Sequence, residues 1–316
     1  MNELRSPNPR WARDERHPQS FVDNDLELEA VPASAYSMDA LVDIYNQTRV
    51  DYIVPMPMNA KRLEEYIDAY DINLEASLVV QARDGLLLGI SMLGLRDDRA
   101  WITRLGVLPV KRRRGTGGFI MNHHLYMARR YGAHQIQLEV IKGNEPAHHL
   151  FNKKGFLETR ELLVIRRPPG APQSDYDGPS GHYSELTADE IATVLEERNY
   201  EVAWTEETFT FNNIEGVRGL RMELDSGEVG HLIYQQSAFQ FSHLVFCAEA
   251  RRNPGLAAGL LFHLHQNEPL QDTKVENLEL DDPLWPVYQY MGYVDVFRRI
   301  EMLHFVESGL SQVNHH

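Results

Sequence analysis

The sequence feature that most constrains the fold is an internal repeat whose two copies lie 140 positions apart. The first copy reads Arg112-x-x-Gly115-x-Gly117, and the second reads Arg252-x-x-Gly255-x-Ala257. At the same displacement, Leu138-Glu139-Val140 recurs as Leu278-Glu279-Leu280. Duplication is the economical explanation of such self-similarity. Since a chain of 316 residues also favours two domains over one, we predict two copies of one domain.

The predicted organisation has four segments. Residues 1–24 are polar and are expected to form a flexible arm. The first domain is predicted over residues 25–168 and the second over residues 182–316. Between them, residues 169–181 are rich in Pro, Gly, Ser and Asp, which is typical of a linker.

Charge is distributed unevenly between the two halves. The formal net charge is −15, and residues 171–316 hold 8 lysines and arginines against 24 acidic residues, which leaves +1 for residues 1–170. An acidic half repels nucleic acid and phosphate ligands. Its acidity either attracts cationic ligands or only aids solubility. We therefore expect no nucleic-acid partner and place any phosphate-bearing ligand in the first half.

Several other classes of protein are disfavoured by composition. The single cysteine, Cys247, excludes an internal disulfide framework and a cysteine-rich metal site. The adjacent pairs His123-His124 and His148-His149 project to different helix faces, so we expect no metal. No apolar run reaches the length of a membrane span, and Met1–Arg16 lacks the apolar core of a signal peptide. A cytoplasmic location without membrane association is expected.

One loop of the first half has the composition of an anion-binding site. It joins a strand-like run, Trp101–Val107, to Phe119–Tyr131, whose apolar spacing indicates a helix. Glycines let backbone N–H groups approach a ligand, and a helix N-terminus adds unpaired donors and the positive end of a dipole. A pyrophosphate would suit this loop, although glycine-rich turns also join ordinary strands and helices. The loop holds three arginines and three glycines: Arg112, Arg113, Arg114, Gly115, Gly117 and Gly118.

A second motif follows downstream, Asn144-x-x-Ala147-x-x-Leu150-Phe151-x-Lys153-x-Gly155-Phe156. With these two motifs in this order, the chain resembles the GNAT superfamily of acyl-CoA-dependent N-acyltransferases. That family carries Gln/Arg-x-x-Gly-x-Gly/Ala at its pyrophosphate loop. The resemblance implies an α/β (α+β) fold of two tandem GNAT domains, each a mixed, mostly antiparallel sheet flanked by helices. This tandem arrangement is similar to that of mycothiol synthase-like proteins.

The resemblance also implies which residues bind the cosubstrate, acetyl-CoA. In the loop, Arg113, Gly115, Gly117 and Gly118 would hold the pyrophosphate, and Arg112 and Arg114 would add charge. Backbone groups of a splayed strand near Leu105 and Val107 would bind the pantetheine arm and the acyl carbonyl. Asn144 would hold a pantetheine amide. Phe151 would border the thioester at the position where the family carries a tyrosine.

Glu139 is the candidate general base. Family members that acetylate ribosomal-protein N-termini place a glutamate five residues before the motif asparagine, as Glu139 precedes Asn144. An ammonium must lose a proton before it attacks a thioester, so a carboxylate with a raised pKa, acting directly or through water, is suited to the task. The alternative is a purely structural contact on the strand.

The proton donor for the departing thiolate is less evident. Phe151 replaces the tyrosine that family members often use, and phenylalanine has no proton to give. Because a thiol is far more acidic than an amine, the thiolate can leave without a fixed acid. Alternatively the active half is the second, where Tyr288 occupies the corresponding position.

The second copy of the loop is degraded. Pro254 removes a backbone N–H donor where the loop should present one, and Asp281 replaces the asparagine of the first copy. Each misplaced carboxylate opposes a phosphate ligand by up to about 1 kcal/mol. We therefore place coenzyme A in the first half and treat the second as a scaffold or a wall of the acceptor site.

The expected function is transfer of acetyl from acetyl-CoA to a primary amine of a small molecule or peptide. A loop rich in Met and aromatic residues, Thr48–Met58, either lines the acceptor site or packs on its own core. The acceptor carries no transferable motif. A sensor or interaction module that binds acyl-CoA without turnover is the alternative, suggested by Phe151 and the degraded second copy.

Overall fold

The structure, a computed structural model, describes residues 22–23, 28–112, 115–172, 177–198 and 200–306. Two predicted coenzyme ligands, Arg113 and Arg114, lie outside these ranges, as does most of the predicted N-terminal arm.

Thirteen strands and nine α-helices are found in the described residues. The strands are β1 (Val22–Asp23), β2 (Leu28–Pro32), β3 (Leu78–Ala82), β4 (Leu87–Arg96), β5 (Arg99–Val107), β6 (Gln135–Ile141), β7 (Leu157–Arg167), β8 (Gly181–Glu185), β9 (Val217–Leu224), β10 (Val229–Gln236), β11 (Gln240–Phe246), β12 (Asp272–Glu279) and β13 (Val294–Phe305). The helices are α1 (Met38–Thr48), α2 (Ala60–Ala69), α3 (Thr116–Arg130), α4 (Glu145–Lys153), α5 (Ala188–Glu196), α6 (Thr208–Asn213), α7 (Ala248–Arg252), α8 (Pro254–Asn267) and α9 (Trp285–Tyr290).

Local sequence accounts for where several of these elements begin. Helix α1 begins after Ser37, whose hydroxyl accepts a hydrogen bond from the Ala40 N–H at 3.3 Å. Thr187 and Glu190 cap α5 reciprocally. The hairpin of β9 and β10 turns at Gly227, whose φ of 88° favours glycine.

All described strands form a single 13-stranded sheet in the order β1-β2-β3-β4-β5-β6-β13-β7-β12-β11-β10-β9-β8. Neighbouring strands are antiparallel except for the pairs β5–β6 and β11–β12, one in each half. Helices flank the sheet. The predicted fold class, a mixed and mostly antiparallel sheet in each half, is therefore confirmed.

The halves exchange their last strands. β13, at the end of the second half, lies between β6 and β7 of the first half. β7 in turn lies between β13 and β12. The segments predicted as separate domains, 25–168 and 182–316, thus share one hydrogen-bonded sheet, and their exact boundaries stay a prediction.

The exchanged strands also contribute buried side chains to the core of the opposite half. Met302 on β13 is fully buried in a first-half core cluster that contains Leu138 and Phe151. Leu163 and Ile165 on β7 belong to the core cluster of the second half. Each half is therefore completed by apolar side chains from the other. No helix in the described ranges has the length and apolar character needed to span a membrane.

Replacement of Met302 by Ala should lower the free energy of unfolding by about 2–5 kcal/mol, because it leaves a cavity in a core of the first half. Chemical denaturation should show one transition for both halves. The matched control is Val296→Ala on the same strand, where the side chain is 53% exposed and little should change. A Met302→Ala protein in which the halves unfold in separate steps would contradict the shared core.

Candidate active site

The parallel strands β5 and β6 separate part of the way along their length. They pair from Arg99–Gln135 to Ile102–Leu138 and no further. Beyond this point β5 continues on β4, and β6 continues on β13. Such a V-shaped opening exposes backbone groups that a sheet would otherwise pair, so it can bind an extended polar chain.

A β-bulge opens β5 at Arg104. This residue has a φ of 54°, and the register with β4 shifts across it. The end of α1 packs against the bulge: a Cβ on Gly106 would overlap the side chain of Thr48, and the Arg49 guanidinium donates to the Leu105 carbonyl at 2.8 Å. The predicted splay near Leu105 and Val107 is thus present and braced by α1.

The glycine-rich loop leads directly into α3. Gly115 is the N-cap residue with a φ of 87°, a conformation that favours glycine, and it has no side chain with which to cap the helix. A Cβ on Gly117 would lie 3.0 Å from Leu150 on α4, so a small residue is required there. A Cβ on Gly118 would meet nothing within 4 Å. The first N–H groups of α3 therefore form a potential anion site.

Arg112 has a different local role from the one predicted. Its guanidinium donates two hydrogen bonds of 2.8 Å to Asp51, and it also donates to the carbonyls of Thr48 and Val107. The side chain thus ties the loop to the chain after α1. The positive charge that Arg112 would add to the coenzyme-binding loop stays a prediction.

Asn144 and Phe151 lie at the other edge of the opening. Asn144 is the N-cap residue of α4, and its amide is 3.5 Å from the Tyr52 hydroxyl. Phe151 is buried in the core with its ring centroid 6.3 Å from that of Phe156. Phe151 thus belongs to the apolar face through which α4 packs on the core of the first half.

Glu139 is the first residue of β6 beyond the parallel pairing. One oxygen, Oε2, accepts a hydrogen bond from Trp101 Nε1 at 2.8 Å, whereas Oε1 is buried without a described partner. Burial raises the pKa of the carboxyl to about 7, against the opposing charge of Arg299 and the Trp101 hydrogen bond. Glu301 and Glu276 add to the rise. The group can therefore exchange a proton near neutral pH.

A cavity of about 1000 Å³ lies between the two halves at the open end of β5 and β6. From the first half it is lined by Arg104 and by residues of α2, among them Tyr66 and Tyr70. The loop Pro55–Met58 also lines it, and whether this cavity is the acceptor site stays a prediction. Glu139 does not line the cavity, but Tyr66, Glu276 and Arg299 do, and all three interact electrostatically with Glu139.

The opposite wall comes from the second half. His243 on β11, Lys274 and Glu276 on β12, and Arg299 on β13 line the cavity. Glu276 accepts from the Arg299 guanidinium at 2.7 Å and forms an ion pair with Lys274. Sequence reasoning missed these residues and Arg104, because the strand exchange that assembles them has no local pattern.

The corresponding opening of the second half is narrow and holds a cavity of about 200 Å³. β11 and β12 pair only at two positions, and the chain from Tyr200 to Ala203 passes along the gap, with the Arg251 guanidinium 4.4 Å from the Tyr200 ring. At the start of α8, the Asn253 side chain accepts from the N–H groups of Gly255 and Leu256. The first backbone N–H groups have no side-chain cap at the start of α3, whereas at the start of α8 they donate hydrogen bonds to Asn253.

The remaining candidate residues are structural. Tyr288 is 2% exposed and packs against Phe246 and Tyr293, and burial raises its pKa well above the usual value. His124 is fully buried in α3. In the described part of the chain no three His, Cys, Asp or Glu side chains are placed to hold a metal ion.

Comparisons with known proteins agree with this architecture. The acetyltransferase (GNAT) family matches residues 39–156, which span α1 to the end of α4 and include the loop, the opening and Glu139. No curated protein matches the chain significantly.

Among solved structures, the GCN5-related N-acetyltransferase from Sphaerobacter thermophilus is similar with a TM-score of 0.68 and 18% identity, over 90% of this chain and 97% of that one. A tandem GNAT protein from the clavulanic acid biosynthesis pathway is similar with a TM-score of 0.61 and 17% identity, over 89% and 99%. These likenesses extend across both halves, and at such identities they establish the shared fold.

Replacement of Glu139 by Gln should stabilise the protein increasingly as pH rises. The wild-type carboxyl keeps its proton up to about pH 7 in the folded state but loses it near 4.5 when unfolded, so its contribution to stability is lost as pH rises through that window. The glutamine variant does not lose stability in this way, because its side-chain amide has no proton to release in this pH range. Chemical denaturation at pH 5 and pH 8 should show the difference in unfolding free energy growing by up to about 3 kcal/mol. A pH-independent difference would show that Glu139 titrates normally.

Proposed function

We propose that this protein transfers an acetyl group from acetyl-CoA to a primary amine of a small molecule or peptide, because its residues 39–156 match the acetyltransferase (GNAT) family. One observation carries the proposal. β5, which bounds the opening, leads at one end to the loop before the uncapped N-terminus of α3 and carries Arg104 in the wall of a cavity large enough for an acceptor. A single ligand can therefore extend from an anion site to a reaction chamber.

Coenzyme A would lie in this opening. Its pyrophosphate would accept hydrogen bonds from the N–H groups at Gly117 and Gly118, with charge from Arg113 and Arg114. The pantetheine arm would run between the backbone of Leu105–Val107 and Asn144. The acyl carbonyl would then lie near the bulge, where unpaired backbone donors can stabilise negative charge on the oxygen.

Glu139 would accept the proton of the acceptor ammonium. Its pKa of about 7 makes the carboxylate available at neutral pH while keeping it basic enough to take a proton. Since Glu139 lies behind the cavity wall, the transfer is expected to pass through a water molecule at the wall. The free amine attacks the thioester carbon, and collapse of the tetrahedral intermediate breaks the C–S bond and expels the thiolate. The second proton of the attacking nitrogen passes through water to the thiolate, which gives a neutral amide and a free thiol.

No fixed acid is assigned to the thiolate. Phe151 has no proton to give, and Tyr288 lies in the core of the other half. A thiolate is stable near neutral pH relative to an amide anion, so its departure is expected to need no dedicated donor.

Phe151 also favours one alternative function, that of an acyl-CoA-binding sensor without turnover. The two functions differ in a single measurement, the release of free thiol from acetyl-CoA in the presence of a broad panel of primary amines. Release with an amine supports the transferase. Tight binding of acetyl-CoA without release for any amine would support the sensor.

Coenzyme binding should be weakened by Gly118→Asp. A Cβ there meets no neighbour within 4 Å, and an acidic residue in the first helical turn favours folding, so the protein should stay folded. The carboxylate would nevertheless repel the pyrophosphate, and calorimetric titration with acetyl-CoA should show about a tenfold or greater loss of affinity. Gly118→Ala is the matched control and should bind nearly as wild type. Equal affinity for Gly118→Asp would place the coenzyme elsewhere.

Turnover should depend on Glu139 through its protonation. We expect kcat to rise with pH to a plateau above about 7, because only the ionised carboxylate accepts a proton. Glu139→Gln should lower kcat by about a hundredfold or more and remove the step near pH 7, leaving any step that belongs to the acceptor amine. Thiol release between pH 5.5 and 9 measures both. An unchanged profile in the variant would remove Glu139 as the base.

A further inference from the structure

Arg104 stands out among the cavity-lining residues because its guanidinium forms no described ion pair, although the charge of Glu276 attracts it from a longer distance. No carboxylate in the described ranges lies within ion-pair distance of its guanidinium. Its described hydrogen bonds both come from Nη1, to the Tyr45 hydroxyl at 3.1 Å and weakly to the Met56 sulfur at 3.7 Å. Nε is buried with no partner. An arginine has five N–H donors, so most of its capacity is unused.

Two tyrosine rings hold this guanidinium in place. Its central carbon lies 4.2 Å from the Tyr66 ring centroid and 5.6 Å from that of Tyr45. The Tyr66 hydroxyl is itself fixed by Thr103 Oγ1 at 2.7 Å. Stacking of this kind orients the planar fork without neutralising its charge. The side chain is therefore preorganised, and its cost of ordering is already met in the free protein.

The inner part of the cavity has excess positive charge. Glu276 is held by both Lys274 and Arg299, so these three groups already sum to one positive charge before Arg104 is added. The acidic lining residues Glu65, Asp68 and Glu215 are exposed at the rim. Glu276 divides its attraction among Arg104, Lys274 and Arg299, so an anionic group supplied by a ligand would add to the stabilisation of the Arg104 guanidinium.

We propose that Arg104 binds a carboxylate of the acceptor, so that the acetylated amine belongs to an amino acid or another aminocarboxylate. This inference rests on the proposed function and names its substrate class. A planar carboxylate matches one guanidinium fork through two parallel hydrogen bonds. The bulge on β5 places the fork beside the reaction chamber, where the carboxylate would also fix the direction of the amine.

The test compares amines that differ only in the carboxylate. Thiol release is measured with phenylalanine against phenethylamine and phenylalaninamide, with lysine against cadaverine, and with phosphoethanolamine as an alternative anion. Wild-type protein should use the aminocarboxylates with a KM about 10–100-fold lower than their partners. Equal use of partner amines, or preference for phosphoethanolamine, would overturn the carboxylate assignment. Absence of release with every amine would instead contradict the transferase.

Variants separate a binding role from a structural one. Arg104→Met should raise the KM for aminocarboxylates about 10–100-fold and leave the KM for the partner amines within about twofold. Arg104→Lys keeps the charge but loses the fork, so it should give an intermediate KM and tests the idea even if the methionine variant does not fold. Arg218→Met, an exposed arginine outside the cavity, is the matched control. If both Arg104 variants retain the wild-type preference, the guanidinium only braces the bulge.

Discussion

The site depends on the insertion of β13 between β6 and β7. This pairing sets Arg299 beside Ile141 and Glu301 beside Glu139, so two charged groups of the second half lie next to the candidate base. It also lets Arg160 on β7 reach Glu301 at 2.9 Å. Without β13, β6 would be an open edge on one side of a splayed strand pair. The first half alone would therefore lack a strand that pairs with β6, and it would lack the two charged groups of β13 that influence the pKa of Glu139.

Two opposing effects set the pKa of the Glu139 carboxyl. Burial alone would favour a protonated carboxyl, and the positive charge of Arg299 counteracts it. Arg299 is at the same time engaged by Glu276 and by the Asn277 side chain at 2.8 Å, which limits how strongly it stabilises the Glu139 carboxylate. The pKa thus remains near neutrality because no full ion pair forms. A direct salt bridge would hold Glu139 permanently ionised and make it a poorer base.

Local patterns in the sequence account for the start of α1 at Ser37 and for the turn at Gly227, because they act over a few residues. They also located the loop before α3 and singled out Glu139. What they could not predict is the exchange of β7 and β13, since each strand has the same apolar pattern whichever neighbour it pairs with. Arg104 was missed for a related reason. An arginine with a left-handed backbone conformation inside a strand is marked by no sequence pattern. The cavity that this arginine lines forms only when both halves have assembled.

Duplication explains why a single chamber lies between the halves. The strand order is symmetric about the β13–β7 pair, with a parallel pair and an opening on each side. The bulged residues of the two openings, Arg104 with a φ of 54° and His243 with a φ of 53°, both line the same cavity. The chain from Tyr200 to Ala203 narrows the second opening to a cavity of about 200 Å³, and Asn253 caps the helix that follows it, which is why we assign the cosubstrate to the first opening. The second copy then acts as the opposite wall, where the Tyr70 hydroxyl meets His243 at 3.5 Å, and residues freed from coenzyme binding can shape the acceptor site.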